Sequence, residues 1–346
     1  MKRFGHLFEK ATDLDFIKTT ILAAAKGKTA KPGVRETVDR IDDRSSLIRE
    51  IILSGTYIPS AKFTTIIDSG SGKKRDIVSI PFFPDQCIQW VITKIIQPIV
   101  MKGMDPYCCS CVPGRGSGLA SKAVRKFLRD DPIGCKWCLQ TDIRKFYPSI
   151  NREILLGKLR SRIKDERFVD LVSRAIAIGP SGLPIGIYSS PWLANFYLQD
   201  LDHRIREDMK ARHAIRYADD EIVLGPNRRK LIAIKESMEE ELRKIGLAIK
   251  PNWKIFRTSR KDIDFVGFRF HSNGKVRIRK RIWRSARREI LKIHHHGLTS
   301  GRAKRLISYY GFIKASSNCN ILKKYSIDRT VAEAKRAISA AEGEKA

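Results

Sequence analysis

The hydrophobic positions of this chain change period several times, and each change marks an element. Residues 5 to 55 carry apolar side chains at helical spacing and end in "REIILSGTYIPS", where Gly55 and Pro59 punctuate. The next stretch alternates instead: "FTTII" and "RDIVSI" predict two strands of a β-hairpin, with "DSGSGKK" as its turn. Helical spacing returns in "DQCIQWVITKIIQPIV" and "GLASKAVRKFLRDD", gives way to a strand in "KWCLQTDI", and resumes in "REILLGKLRSRI" and "DERFVDLVSRAIAI". A Gly/Pro-rich segment then enters "SSPWLANFYLQDLDHRIREDMK", one long predicted helix. "IRYADDEIVLG" predicts a hairpin, and "RKLIAIKESMEEELRKIG" a helix stopped at Gly246. "LAIKP" and "DFVGFRF" read as short strands, followed by a basic helical tail from about residue 280. Helices and strands alternate without a repeated βαβ unit, so the expected class is α+β with a mainly antiparallel central sheet.

One stretch sits badly in its own pattern. In "RYADDEIVL", Asp219 and Asp220 are adjacent inside an apolar run. Neighbouring strand residues face opposite sides of a sheet, strand interiors are poor in Asp, and an unpaired buried carboxylate is costly. Asp142, in "LQTDIRKFYPSI", ends another predicted strand. If the two strands lie side by side, three carboxylates meet at one sheet edge. Such hard oxygen donors suit Mg²⁺, which takes one or two carboxylates and completes its octahedron with substrate phosphates. A pair of such ions can activate an attacking hydroxyl and stabilise a leaving phosphate oxygen. The plainer alternative is a solvated turn, with Asp142 as a helix cap.

Charge narrows the choice of partner. Among 346 residues, 68 Lys and Arg face 37 Asp and Glu, a formal net charge of +31. That imbalance points to a polyanion, RNA or DNA, ahead of an anionic membrane, because the basic residues are spread along the whole chain. The most apolar run, "CIQWVITKIIQPIVM", is short and carries Lys94 and Pro98, so it reads as a buried helix. With no signal-peptide pattern at the start, a cytoplasmic protein is expected. Two CxxC pairs, Cys108 with Cys111 and Cys135 with Cys138, have zinc-ligand spacing. Cys138 lies in a strand-like run, and reduced cysteines in a small-residue core are the favoured reading.

Taken in order, "LQTDIRKFYPSI", "SGLPIGIYSSPWLANFYLQDLD" and "RYADDEIVL" resemble the palm motifs of reverse transcriptases, and "IKPNWKIF" and "IDFVGFRF" stand where two later palm motifs do. Upstream, "KKRDIVSIPFFPDQCIQWVITKIIQPIV" and "CVPGRGSGLAS" resemble the fingers motifs of bacterial members. The resemblance spans about residues 5 to 315 and implies a right-hand polymerase. Its expected parts are an N-terminal segment and fingers over 1–135, with fingers elements also within 151–184, a palm over 136–272, and a basic helical thumb and tail over 273–346.

Carried over residue by residue, Asp142 and Asp219 resemble the two principal ligands of a pair of Mg²⁺ ions, with Asp220 completing the triad and Ile143 giving a backbone oxygen; Mn²⁺ is a substitute. Tyr147, five residues after Asp142, matches an aromatic gate that excludes a 2′-hydroxyl and so favours deoxynucleotides, while Phe146 is expected in the core. Lys74 and Arg75 resemble residues that grip the incoming triphosphate. Arg115, in a glycine-flanked loop, and Gly267, in the primer-grip-like segment, resemble template and primer contacts. Lys250 and Lys254 both stand near the place of a general acid for pyrophosphate, and either also suits a backbone phosphate.

Ile185-Gly186 stands where many reverse transcriptases carry Gln-Gly. An apolar residue there is similar to the enzymes of diversity-generating retroelements, which copy RNA with errors at adenine, whereas Ser190-Pro191 resembles retron and group II intron enzymes. An antiphage-defence lineage fits as well. In "KVRIRKRIWRSARREILKIHHHG", Arg279, Lys280 and Arg284 suit a helix that tracks a duplex by charge. Trp283 is expected to pack, and His294, His295 and His296 to diverge around the helix surface.

The resulting expectation is an RNA-directed DNA polymerase, partnered by a cognate template RNA, the cDNA/RNA duplex and dNTPs, with an accessory protein subunit as a further candidate and no membrane. At this length no added RNase H, integrase or endonuclease domain is expected. The rivals are an RNA-dependent RNA polymerase, which Tyr147 disfavours, a nuclease, which would not need the fingers-like segments, and an RNA-binding scaffold.

Overall fold

The computed structural model describes residues 3–67, 74–317, 323 and 325–343. It opens with four helices, α1 (Leu7–Ala11), α2 (Leu14–Ala25), α3 (Pro32–Asp39) and α4 (Ile41–Ser54). Asp13 starts α2 by accepting the Phe16 N–H, and Gly55 ends α4 in the left-handed region at φ 64°. Strands β1 (Lys62–Ile67) and β2 (Lys74–Ser79) pair antiparallel from Lys62↔Ser79 to Ile67↔Lys74. Residues 68–73, most of the expected "DSGSGKK" turn, lie outside the described residues. Then come α5 (Cys87–Lys102), α6 (Ser117–Asp130) and β3 (Trp137–Asp142). After the short α7 (Phe146–Ser149), Asn151 caps α8 (Arg152–Arg162) and Asp165 caps α9 (Glu166–Ile176).

The long helix expected next is broken. It runs as α10 (Ser190–Tyr197), α11 (Gln199–His203) and an irregular turn to Asp208. At the break, Lys158 Nζ of α8 donates to the Tyr197 carbonyl at 2.8 Å. The hairpin β4 (His213–Tyr217) and β5 (Asp220–Gly225) and the helix α12 (Arg228–Lys244) follow as expected. "LAIKP" is not a strand; it contributes a single bridge, Ile249 to Ile143, and the strand β6 (Lys254–Arg257) lies just beyond it. "DFVGFRF" is two strands, β7 (Ile263–Phe265) and β8 (Phe268–Phe270), joined through Val266 and Gly267 at φ 44° and 89°. Positive φ at both central residues is what a twisted two-residue hairpin demands. An unforeseen strand, β9 (Val276–Ile278), pairs with β8, and α13 (Lys280–His296), α14 (Ser300–Lys314) and α15 (Ile327–Gly343) form the helical tail.

The chain divides into two compact units. The first comprises Met1–Asp105, Arg144–Asp202 and Glu241–Ala248. Its core is α5, whose Ile88, Val91, Ile92 and Ile96 are inaccessible to solvent, with Ile17 and Ile21 of α2 and Ile48 and Ile52 of α4 also buried. Gln89 of α5 is buried and satisfied: its amide donates to the Ala175 carbonyl and accepts from Ser189 Oγ. Among the described residues no helix is long and apolar enough to cross a membrane.

The second unit comprises Pro106–Ile143, His203–Glu240 and Ile249–Ala346. It holds an antiparallel four-stranded sheet in the order β4-β5-β3-β6 and a three-stranded sheet in the order β7-β8-β9. Val124 and Phe127 of α6, Ile222 of β5, Phe265 and Phe268, and Leu306 and Ile313 of α14 share one core. Cys135 and Cys138 are buried in that core as free thiols, with burial pushing the Cys135 thiol up to about 12 and Cys138 higher still; Cys111 is exposed. Trp283 packs against the same core, and the three histidines lie exposed at the end of α13.

Candidate active site

The strand register brings the three aspartates together. In the β3–β5 ladder the last pair is Asp142↔Asp220, and in the β4–β5 ladder it is Tyr217↔Asp220. Only Ala218 and Asp219 remain to turn the hairpin, with Ala218 left-handed at φ 57°. Both turn carbonyls accept hydrogen bonds. The Ile143 N–H donates to the Asp219 carbonyl at 3.1 Å, and the guanidinium of Arg216 donates to the Ala218 carbonyl at 3.1 Å. Arg216 is 2% exposed inside β4, so the turn rests on a buried cation. Asp142, Asp219 and Asp220 thus share one sheet edge. A cleft of about 600 Å³ opens there, its wall including Asp142, Asp220, Lys254, Arg260, Arg269 and Arg279.

Charge is crowded at this edge. Lys250 Nζ forms an ion pair with the Asp142 carboxylate, and the Lys250 N–H donates to the Asp142 carbonyl at 2.8 Å. The Asp220 carboxyl is pushed up to about 6, first by burial among the cleft walls, then by the negative charges of Asp219 and Asp142; Lys250 and Arg279 partly offset the effect. Solvent still reaches Asp220 through the open cleft. Among the described residues no three His, Cys, Asp or Glu side chains already converge as a metal cage. The donors nonetheless fit a hard divalent cation: oxygen ligands at one edge, two of them raising the proton affinity of the third, where added positive charge would relieve the repulsion.

Residues 64–270, more than half of the chain, match the family described as "Reverse transcriptase (RNA-dependent DNA polymerase)". The chain belongs to the reverse transcriptase family. It is 27% identical over 203 residues to the "Group II intron-encoded protein LtrA" of Lactococcus lactis subsp. cremoris, covering 55% of this chain and 33% of that one. It is 30% identical over 135 residues to the "Retron Ec73 reverse transcriptase" of Escherichia coli, covering 35% of this chain and 43% of that one. The chain therefore spans about a third of the length of the intron relative and less than half of the retron relative. Among solved structures, one of telomerase from Candida albicans superposes with a TM-score of 0.50 at 11% identity, over 83% of this chain and 62% of that chain, a likeness of fold.

Other residues that the family motifs single out are distributed over both units. In the second unit, Lys254 of β6 is exposed on the cleft wall, while Lys250 is the lysine that reaches a carboxylate. Arg279 pairs with Asp264, and its N–H donates to the Gly267 carbonyl at 2.9 Å. Gly267 is buried, and the space over it is filled by protein: a β-carbon there would lie 2.6 Å from the Phe312 ring and 3.0 Å from Ile282. Lys280 and Arg284 are exposed on α13. Arg115 donates to the Cys108 carbonyl at 3.1 Å, stapling its own loop.

In the first unit, Lys74 and Arg75 are exposed at the start of β2. Phe146 is buried, and Tyr147 is half-buried with its ring edge-on to Phe146 at 5.4 Å. The Tyr147 carbonyl accepts the Leu183 N–H at 2.9 Å, and Gly182, at φ 69°, has room for no β-carbon beneath that same carbonyl. The Ile185 carbonyl accepts the Val78 N–H at 2.7 Å, and Gly186, at φ 115°, lies so close to the Val78 carbonyl that a side chain would collide with it. Arg152 donates to the carbonyls of Ile178, Gly179 and Gly182, shaping the loop that leads to this segment. Neither Arg216 nor Arg152 stands out in the sequence. A basic residue in a strand or amphipathic helix ordinarily faces water, and only tertiary structure turns these two onto carbonyls, Arg216 buried and Arg152 half-buried.

Proposed function

We propose that this chain is an RNA-directed DNA polymerase that extends a primer 3′-hydroxyl with deoxynucleotides and releases pyrophosphate. The observation that carries the reading is the meeting of Asp142, Asp219 and Asp220 at one sheet edge, with Asp220 pushed up to about 6, in a member of this family. In this reading the carboxylates of Asp142 and Asp219, with Asp220 and the Ile143 carbonyl, would hold two Mg²⁺ ions. Bound there, the ions would activate the attacking hydroxyl and stabilise charge on the leaving phosphate.

The chain's own side chains do the rest. Lys74 and Arg75 grip the incoming triphosphate and neutralise charge on the pyrophosphate as it leaves. Tyr147 lies under the sugar and excludes a 2′-hydroxyl, while Ile185 and Gly186 support the nascent pair. Lys250 is favoured over Lys254 as the proton donor to pyrophosphate, because its ammonium already stands at Asp142. Arg279, Lys280 and Arg284 track the duplex backbone. A cognate RNA serves as template, and the retron and group II intron likenesses favour a retroelement or phage-defence setting.

Primer extension on an RNA template with Mg²⁺, comparing the wild type with Asp219→Ala, tests the reading. Aspartate-dependent DNA is expected. Equal use of ribonucleotides would move the reading to an RNA polymerase, and RNA binding without aspartate-dependent synthesis would leave a scaffold. Sequencing of cDNA recovered from the host cell separates the settings. Errors at template adenines favour a mutagenic retroelement, and faithful copies of a non-coding RNA favour defence.

A further inference from the structure

A strip on the first unit joins aromatic rings to two lysines that form no ion pair among the described residues. Trp90 of α5 and Tyr188, in the loop before α10, stack with centroids 4.2 Å apart and planes 7° from parallel. Lys28 Nζ stands 5.8 Å from the centre of the Trp90 ring and 5.9 Å from that of Phe82, and Lys94 Nζ stands 5.6 Å from that of Trp90. Among the described residues neither lysine has a carboxylate partner, and the Tyr188 hydroxyl has no protein hydrogen-bond partner. Tyr188 is 37% exposed although one of its faces is covered by Trp90. Its exposed surface therefore lies away from the covered face.

We infer that Trp90 and Tyr188, with Lys28 and Lys94, form a platform that stacks a base of an unpaired stretch of RNA. A tyrosine that served packing alone would sink its ring and satisfy its hydroxyl. Here the ring is instead anchored on one face by Trp90 and partly exposed elsewhere, and it is the supporting Trp90 ring that Lys28 and Lys94 flank, from two different elements. Stacking on an aromatic face tolerates any base, and lysines beside it neutralise the phosphates of the same strand. A duplex does not fit as well, because its bases already cover one another's faces. The mount is also rigid: Tyr188 follows Gly186 by two residues, and the Ile185–Gly186 backbone is locked against Val78. The choice of RNA over DNA rests on the polymerase reading; the preference for an unpaired strand does not.

The test is equilibrium binding by fluorescence anisotropy, with the full chain and no Mg²⁺ or nucleotides. Three labelled probes of equal length are used: unpaired RNA, the same strand with abasic sites, and a blunt RNA–DNA duplex. Tyr188→Leu is expected to bind unpaired RNA about tenfold more weakly, while Tyr188→Phe stays within about twofold of the wild type because the ring remains. Wild type and Tyr188→Leu are expected to bind the abasic strand equally, and the duplex equally. If Tyr188→Leu binds unpaired RNA as the wild type does, or loses the same factor on the abasic strand or the duplex, the platform is wrong. Should Tyr188→Leu lower the thermal midpoint, Lys28→Gln/Lys94→Gln replaces it. A salt slope smaller by about one to two for unpaired RNA supports the platform, and an unchanged slope overturns it. Primer extension is scored separately, so a chain that makes no DNA but passes the binding test keeps the platform and loses the polymerase reading.

Discussion

Two hairpins of the second unit are alike in backbone and opposite in setting. Both turn through two residues, Ala218–Asp219 and Val266–Gly267, and both hold a non-glycine residue at positive φ, 57° for Ala218 and 44° for Val266. Such a conformation costs a residue with a β-carbon about 1 kcal/mol or more. At the first turn the supports are polar: Arg216 on the Ala218 carbonyl, Ile143 on the Asp219 carbonyl, and carboxylates facing a cleft. At the second the supports are apolar: Phe312 and Ile282 close over Gly267, between the buried Phe265 and Phe268. Strain alone therefore does not mark a working site. What the strained turn presents, charge to an opening or a ring to a core, separates the two.

The comparison is broken most sharply at Asp219. Asp219→Asn is expected to lower DNA synthesis by at least about 10³-fold while leaving the thermal midpoint level or raised, since one of the like charges is gone. A fall in midpoint accompanying the loss would make the first turn architectural, like the second. Gly267→Ala should do the reverse, costing about 2–3 kcal/mol in denaturant unfolding, because the new β-carbon meets Phe312 in a conformation that L-residues resist. An unchanged unfolding midpoint would show that the apolar cover is slack. Ala218→Gly has the opposite sign and a smaller size: the left-handed strain is relieved, and stability should rise by up to about 1 kcal/mol.

The smallest effect is expected at the far end of β4. There His213 Nε2 and Asp131 Oδ2 are 2.8 Å apart. The Asp131 carboxyl is held below the usual carboxylate range by that hydrogen bond, and then by the Gly134 N–H. A carboxyl lowered in the folded state stabilises above its unfolded value, and the benefit is lost as pH falls through the folded value. The stability gap between wild type and Asp131→Asn should therefore be present at neutral pH and close in acid. A gap that stayed constant would mean packing, not charge, fastens this end. The Asp131 carboxylate is part-exposed, so solvent screens the pair and the gap should be slight.

Much of this was legible from spacing. Asp142 and the Asp219–Asp220 pair could be drawn to one edge because strands have period two and the "YADD" turn is short, and the ladder bears out that geometry. The misses share a cause, a local pattern overruled by distant residues. Apolar spacing runs unbroken through Leu198, yet Lys158, far away in the chain, takes the Tyr197 carbonyl and the helix breaks. "DFVGFRF" reads as one short strand because valine carries no turn signal, yet Val266 turns left-handed beside Gly267, where Phe312 and Ile282 leave no room for a side chain. β9 is three residues inside a basic run, too short for any period to emerge. The Trp90–Tyr188 stack joins residues nearly a hundred positions apart, and neither ring announces the other.

Gly182 and Gly186 carry one more consequence. Each lies where a backbone carbonyl leaves no room for a β-carbon, Tyr147's over the first and Val78's over the second. Between them Ile185 engages its neighbours through its carbonyl, and its half-buried side chain takes no part in that bond. Substitution at 185 can change the chemistry offered there without shifting the backbone that offers it. Natural drift would find an exchangeable position bracketed by two fixed ones. If Ile185 does lie beneath the nascent pair, as proposed, single substitutions there would alter that contact while the flanking backbone stays fixed.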